Sequence, residues 1–223
     1  MKKIEIPNPL PLFPLPTTVL FPKIHLPLHI FEPRYREMVR DAQASDQLIG
    51  MVLLKEGWEE EYERNPPVHE IGCVGRMLYV QPFEDGRFNI VLYGMGRFRL
   101  QGQFFDRSYR QGWVEPLTEE TVPERIPPSL LTELVEQVRE YGRLRGWQRQ
   151  IESVMDLNLD SERLVNLFSA ELDFTPLEKQ FLLESDDFLV QAKRLLDLLG
   201  FYIQEHKATQ SRIQPPSDPR PAS

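Results

Sequence analysis

The sequence predicts an α+β fold, a small, partly closed β-barrel carrying one short helix and followed by a helical bundle. Two observations predict it. Before residue 118, apolar residues alternate or run together in short stretches punctuated by proline, glycine and Asp-Gly, the pattern of strands and turns. After residue 128 the apolar spacing changes to that of amphipathic helices. The expected division is residues 1–118 for the barrel, 119–207 for the bundle and 208–223 for a disordered tail, which has four prolines and no apolar period.

Leu15 to Leu20 and Ile24 to Ile30 read as extended runs interrupted by Pro16, Pro22 and Pro27. Proline cannot donate to a ladder, so these runs belong at a sheet edge or lead into a strand. Pro33 suits a first helical position, and Tyr35, Met38, Val39 and Ala42 follow at helical spacing, which predicts a helix over 33–44. Leu48 to Leu54 is an apolar run suited to a buried strand, and the acidic segment Lys55 to His69 reads as a solvated loop. Ile71 to Gln81 and Arg87 to Tyr93 form a hairpin around Asp85-Gly86, where glycine accepts positive φ at no steric cost. Gly94-Met95-Gly96 permits a turn or bulge before the alternating run through Phe98 and Leu100, and a last strand covers Gln111 to Pro116.

Past the linker Thr121 to Pro128, Leu131, Leu134, Val135, Val138 and Tyr141 form one helical stripe, and Leu164, Val165, Phe168 and Leu172 form another. Thr175-Pro176-Leu177-Glu178 has the residues of a capping box, in which two orphan amide donors are satisfied reciprocally. Phe188, Leu189, Ala192, Leu195, Leu196, Leu199 and Ile203 share the face of a final helix.

The charge argues against several functions. Residues 1–118 carry 14 Lys+Arg against 15 Asp+Glu, whereas 119–223 carry 12 against 19, within a total of −8. Gripping a phosphate backbone needs a clustered positive field, and the larger asymmetry here has the opposite sign. Cys73 is the one cysteine, so neither an internal disulfide nor a multi-cysteine metal site can form, and its apolar neighbours mark it as a small core residue. The opening MKKIEIPNPLPLF starts like a signal peptide but is broken by Glu5, Asn8 and prolines, and no apolar run reaches the ~18 residues of a membrane span. A soluble, cytoplasmic protein is expected.

Catalytic patterns are missing. There is no G-x-x-x-x-G-K-[ST] phosphate loop, no G-x-S-x-G elbow and no H-E-x-x-H pair, and Gly94-Met95-Gly96 lacks the third glycine of a dinucleotide fingerprint. His25 and His29 would face one side of a helix, but prolines make their segment extended, with the rings some 13 Å apart by strand rise. No catalytic residue, metal or cofactor is expected. The aromatic, proline-stiffened opening is the stronger lead, since a stiff and incompletely hydrogen-bonded segment can receive an extended peptide at low entropic cost.

Leu12-Phe13-Pro14-Leu15, Val19-Leu20-Phe21-Pro22, Leu26-Pro27-Leu28 and Ile30-Phe31-Glu32-Pro33-Arg34-Tyr35 together resemble the signature of the N-terminal substrate-recognition domain of Lon proteases. Ile71-Gly72-Cys73-Val74 through Asp85-Gly86 to Val91-Leu92-Tyr93-Gly94 is similar to that family's glycine-punctuated hairpin. The Phe-Glu-Pro-Arg-Tyr wording looks more like its short stand-alone members, which lack the ATPase and protease domains. The resemblance implies a PUA-like pseudobarrel followed by a helical bundle, and recognition of unfolded or partner polypeptides near the barrel cleft and helix start.

The leading reading is therefore a non-catalytic adaptor or chaperone-like module for polypeptide segments. Its expected contacts are Phe21, Pro22, His29, Phe31, Glu32, Arg34 and Tyr35, with aromatics as anchors and the charged pair as rim. Its expected partner is an unfolded or partner polypeptide, with a separate protease as a further partner and no membrane. RNA binding, known for other PUA-like barrels, is the alternative, and an enzyme with an unrecognised cleft is the third reading.

Overall fold

The computed structural model describes residues 6–61, 65–117 and 126–213. Six strands form one sheet: β1 (Leu10–Leu15), β2 (His25–Ile30), β3 (Leu48–Leu53), β4 (Ile71–Pro82), β5 (Phe88–Phe104) and β6 (Gln111–Pro116). Their order is β2-β5-β4-β3-β1-β6, and β6 also pairs with β5, so all strands but β2 join a closed ring. Closure leaves β2 as an edge held only by β5, in the register His25↔Tyr93 to Ile30↔Phe88.

Proline placement follows from the ladders. β1 lies between β3 and β6 although it contains Pro11 and Pro14. Leu12 N donates to Arg110 O across the β6 side, so by alternation Pro14 N faces that side too. Pairing with β6 covers only Leu10 and Pro11, which leaves Pro14 past its end. Pro11 precedes the first β3 partner, Leu12↔Gly50. Neither ring needs an N–H it lacks. The strand therefore runs earlier than the expected Leu15 to Leu20.

The expected pair of strands after residue 87 is a single strand, β5, that survives three irregularities. Met95 is the extra residue between Val74↔Gly96 and Gly75↔Gly94, so the glycine pair flanks a bulge and not a chain reversal. Met95 packs on the barrel core beside Phe98 and Leu100. Leu78 is extra on β4, and Gln101 is extra on β5. The Asp85-Gly86 turn forms as expected: Gly86 has φ +83° and Phe83 N donates to Arg87 O at 2.9 Å.

Helix α1 (Pro33–Gln43) starts at proline and turns Tyr35, Met38, Val39 and Ala42 inward onto Phe13, Ile30, Ile49, Phe88 and Ile90. At roughly 1.5–3 kcal/mol for each fully buried large side chain, that stripe anchors the helix to the sheet. Cys73 lies in the same cluster, fully buried, and burial pushes its thiol up to about 12. The folded state thus favours the protonated thiol. Its contribution to stability is present below the ordinary value of 9.0 and is lost as pH rises toward 12. A thiol reagent at pH 8 is expected to label Cys73 only after denaturation; rapid labelling of the native protein would contradict this burial.

Gly94 holds the entry to β2. Lys23 N donates to Gly94 O at 2.7 Å, and Gly94 N donates to Ile24 O at 2.9 Å. A Cβ on Gly94 would collide with the Phe21 carbonyl, which is backbone and cannot swing away. Gly94→Ala is expected to cost about 2–3 kcal/mol, measured by denaturant unfolding, and an unchanged midpoint would contradict this packing.

Among the described residues five helices follow β6: α2 (Pro128–Arg145), α3 (Gln148–Met155), α4 (Ser161–Glu171), α5 (Pro176–Leu183) and α6 (Phe188–Ile213). They do not form one bundle. The chain divides into two compact units, one of residues 1–123 with 162–187, the other of 124–161 with 188–223. The first unit therefore takes α5 and nearly all of α4 from the expected 119–207 bundle. Polar ties join the apolar contacts there: Arg97 of β5, 8% exposed, donates through Nη1 to Leu183 O at 3.0 Å and to Ser185 O, so the end of α5 is tied to the sheet. Gln180 Nε2 donates to Ile71 O at 2.9 Å, and Lys23 pairs with Glu162 at 2.7 Å. None of the side chains that make these bonds belongs to an apolar stripe. The capping box at Thr175 is formed, with Glu178 N donating to Thr175 Oγ1 at 3.2 Å and Thr175 N to Glu178 Oε2 at 2.7 Å.

In the second unit, α2 packs against α3 and α6 through Leu134, Val138, Tyr141, Ile151, Leu195 and Leu199. Helix α6 continues to Ile213, so residues 208–213, expected in the tail, are helical. The remaining tail, most of the linker 121–128 and part of the acidic loop lie outside the described residues; Trp58–Glu61 of that loop forms a 3-10 turn. Among the described residues no helix is long and apolar enough to cross a membrane.

Candidate functional site

The edge position of β2 decides which side chains reach solvent. Alternation sends Leu26, Leu28 and Ile30 toward the core and His25, Pro27 and His29 outward. Opposite them on β5 stand Tyr93, Val91 and Asn89, and next on β4 stand Arg76, Tyr79 and Gln81. The outer face of β2-β5-β4 thus carries three cross-strand rows, of which the middle one, Pro27-Val91-Tyr79, is apolar. A shallow depression of about 360 Å³ runs along it, lined by residues that include Pro27, His29, Tyr79, Asn89 and Val91. The Leu78 bulge places two adjacent large side chains in solvent, Leu78 and Tyr79, each just over half exposed.

At one end of this face lies an aromatic tip. His29 stacks on Phe31 at 6.3 Å between centroids and meets the edge of Phe83 at 5.9 Å. Arg87 lies over Phe83, 5.8 Å from its centroid. A guanidinium can only donate, so Arg87 Nη1, 3.4 Å from His29 Nε2, assigns that nitrogen as an acceptor. The ring proton is then on Nδ1, which donates to Asn89 Oδ1 at 2.8 Å. Asp85 accepts from Arg87 N at 3.0 Å and Nε at 2.6 Å, and these bonds hold its carboxyl below the usual carboxylate range. Phe31 is 60% exposed despite its size, and nothing apolar covers its outer surface among the described residues. An exposed aromatic group on a braced turn is a preformed anchor for another molecule.

The seven expected contact residues part company here. His29 and Phe31 form the tip. Glu32 and Arg34 pair at 2.9 Å at the start of α1 and are partly exposed, as rim residues should be. Two expectations are corrected. Phe21 is fully buried, because the hydrogen bonds around Gly94 turn its segment inward, and Tyr35 is 3% exposed, its ring 4.4 Å from Phe13. Tyr35 belongs to the buried stripe of α1, so neither ring reaches the outer face of the sheet, although Tyr35 also lines the concavity where α1 begins. Pro22 is half-buried and precedes β2, whereas Phe31 follows it, roughly 20 Å of strand away. Sequence reasoning did not name Tyr79, Phe83, Arg87 or Asn89. The strand over Arg87 to Tyr93 was visible, but the Leu78 bulge and the register onto β2 were not. Among the described residues no cluster of His, Cys, Asp and Glu could hold a metal ion.

Residues 9–200 match the family model for the ATP-dependent protease La (LON) substrate-binding domain. The chain is 27% identical over 210 residues to a Lon protease of Flavobacterium johnsoniae, covering 92% of this chain and 25% of that protein. It is also 27% identical over 222 residues to Lon protease 2 of Myxococcus xanthus, covering 90% and 24%. The chain spans about a quarter of the length of these curated relatives. Among solved structures, the Lon N-terminal domain protein from Xanthomonas campestris aligns with a TM-score of 0.62 at 24% identity, over 86% of this chain and 97% of that one. The N-terminal domain of Mycobacterium avium complex Lon protease aligns with a TM-score of 0.65 at 18% identity, over 88% and 98%. These likenesses carry the fold, and the family model carries the membership: this chain belongs to the Lon substrate-binding domain family.

Proposed function

We propose that the chain binds polypeptide segments, without catalysing a reaction on them, across the outer face of β2-β5-β4 and its aromatic tip. The observation that carries this reading is a shallow apolar depression at the sheet edge, lined by exposed Tyr79 and by His29, whose ring stacks on exposed Phe31 and meets exposed Phe83. Pro27 interrupts the free edge of β2, where a full added strand would need its missing N–H, so the guest lies over the face and its side chains supply the contacts. His29, Arg87 and Asp85 brace the anchors, and Glu32 and Arg34 form a polar rim. The role fits an adaptor or chaperone-like module that holds unfolded or partner chains, including for a separate protease.

A reduced, alkylated and permanently unfolded protein is expected to bind the purified chain in fluorescence anisotropy, with affinity nearly independent of salt because apolar contacts dominate. Absence of binding would remove this function. Steeply salt-dependent binding to structured RNA in its place would favour the nucleic-acid reading, against the net charge of −8.

A further inference from the structure

A second concavity stands where α1 begins, in the same compact unit. It measures about 210 Å³, and its lining includes Pro14, Leu54, Pro66 and Phe105 with three cations, Arg34, Arg107 and Arg110. No carboxylate stands among the described residues that line it. Two of the cations have acidic partners: Arg34 pairs with Glu32, and Arg107 lies 3.7 Å from Asp41. Arg110 differs. It is 6% exposed, donates through Nη2 to the Pro66 carbonyl at 2.7 Å and sits 5.6 Å from the Phe105 ring centroid. Its Nη1 is buried without a hydrogen-bond partner among the described residues. Burial lowers its affinity for its proton; Tyr35 opposes this and the neighbouring Arg34 adds to it.

A buried guanidinium without a counter-ion is costly, and an anion reaching it would relieve both the missing hydrogen bond and the unbalanced charge. The positive end of the α1 dipole adds to the same field. The walls are already braced: Tyr109 donates to Asp41 at 2.8 Å and Ser108 to Glu37 at 2.9 Å, which fastens the β5–β6 connection to α1. The pocket is smaller than the ~300–1,000 Å³ of sites for drug-sized ligands, so it suits the end of one residue and not a nucleotide. Apolar walls beside the cation match a group that brings a carboxylate and an apolar side chain together, as a chain terminus does. Phe31 of the aromatic tip precedes Arg34 by three residues, so a polypeptide on that tip could deliver its end here.

We propose that the Arg110 pocket holds the C-terminal carboxylate of a bound polypeptide whose last side chain is apolar. The inference rests on the polypeptide-binding reading and adds which part of the guest is recognised. The test uses one fluorescein-labelled peptide sequence ending in Ala-Leu, as free acid and as amide, and a third peptide, also an amide, with glutamate before the last residue. Anisotropy on the full chain is expected to favour the free acid about tenfold over the amide, and Arg110→Gln should reduce the preference to about twofold. Arg34→Gln, at a partly exposed position, should reduce it too and decides the matter should Arg110→Gln fail to fold. Equal binding of acid and amide overturns the chain-end assignment while the polypeptide reading stands. A preference that survives both substitutions moves the carboxylate elsewhere. An amide peptide rescued by its glutamate shows an acidic side chain to be the guest, against the proposal. Binding of none of the three overturns both readings.

Discussion

The double substitution Phe31→Ala, Phe83→Ala is expected to weaken capture of an unfolded polypeptide by about 2–4 kcal/mol, roughly thirtyfold or more, in anisotropy titration. The size follows from the geometry. Phe31 has 60% of its surface free, and Phe83 is 37% exposed with His29 and Arg87 packed on it, so both rings already stand in the conformation a guest would meet. Little ordering remains to be done on binding, which is what makes an aromatic side chain an energetic anchor. Because neither ring is in the core, the thermal midpoint should stay within about 2 °C of the parent. Unchanged binding by a folded double variant would remove the tip from the site. A collapse in stability would instead show that these rings hold the sheet together.

Arg97→Met should have the largest effect on stability, about 3 kcal/mol in denaturant unfolding. Methionine can fill much of the aliphatic space but leaves the carbonyls of Leu183 and Ser185 without the guanidinium that bonds them. The acceptors sit at the end of α5, where the helix dipole is negative and a cation is favoured. Gln180 would remain bound to Ile71, so the loss should be partial, not complete unfolding. Limited proteolysis should then cut first within residues 172–187, because the tie between α5 and the sheet is the interaction removed. A variant as stable as the parent, with 172–187 still protected, would show that apolar packing alone holds α5 in place.

The first unit was legible where a single period governed it. Pro33 with Tyr35, Met38, Val39 and Ala42 specified α1 to within a residue at its end, and Asp85-Gly86 specified the hairpin turn. The same stripe could have kept Tyr35 off the outer face of the sheet, since a residue that completes an apolar helical face is turned to the core. Phe21 was harder. Its burial depends on Gly94, more than 70 positions later, and a contact so distant leaves no local pattern. The expected division of the helices rested on apolar period, and Arg97 and Gln180, which bond carbonyls across the first unit, carry no such signal. The outer face was half visible. The extended runs Ile24 to Ile30 and Arg87 to Tyr93 put His29 and Asn89 in strands, but only the ladder sets them opposite each other, and only the bulge at Leu78 exposes two consecutive side chains.

Photo-cross-linking reads where a guest chain lies. A photoreactive phenylalanine analogue in place of Tyr79, 53% exposed, is compared with one in place of Phe201, 59% exposed. With exposure nearly matched, irradiation beside an unfolded polypeptide reads proximity and not mere accessibility. Strong adducts are expected from position 79, abolished by excess unlabelled guest, and few from position 201. Equal labelling at both positions, or labelling at 201 alone, would contradict binding across that face.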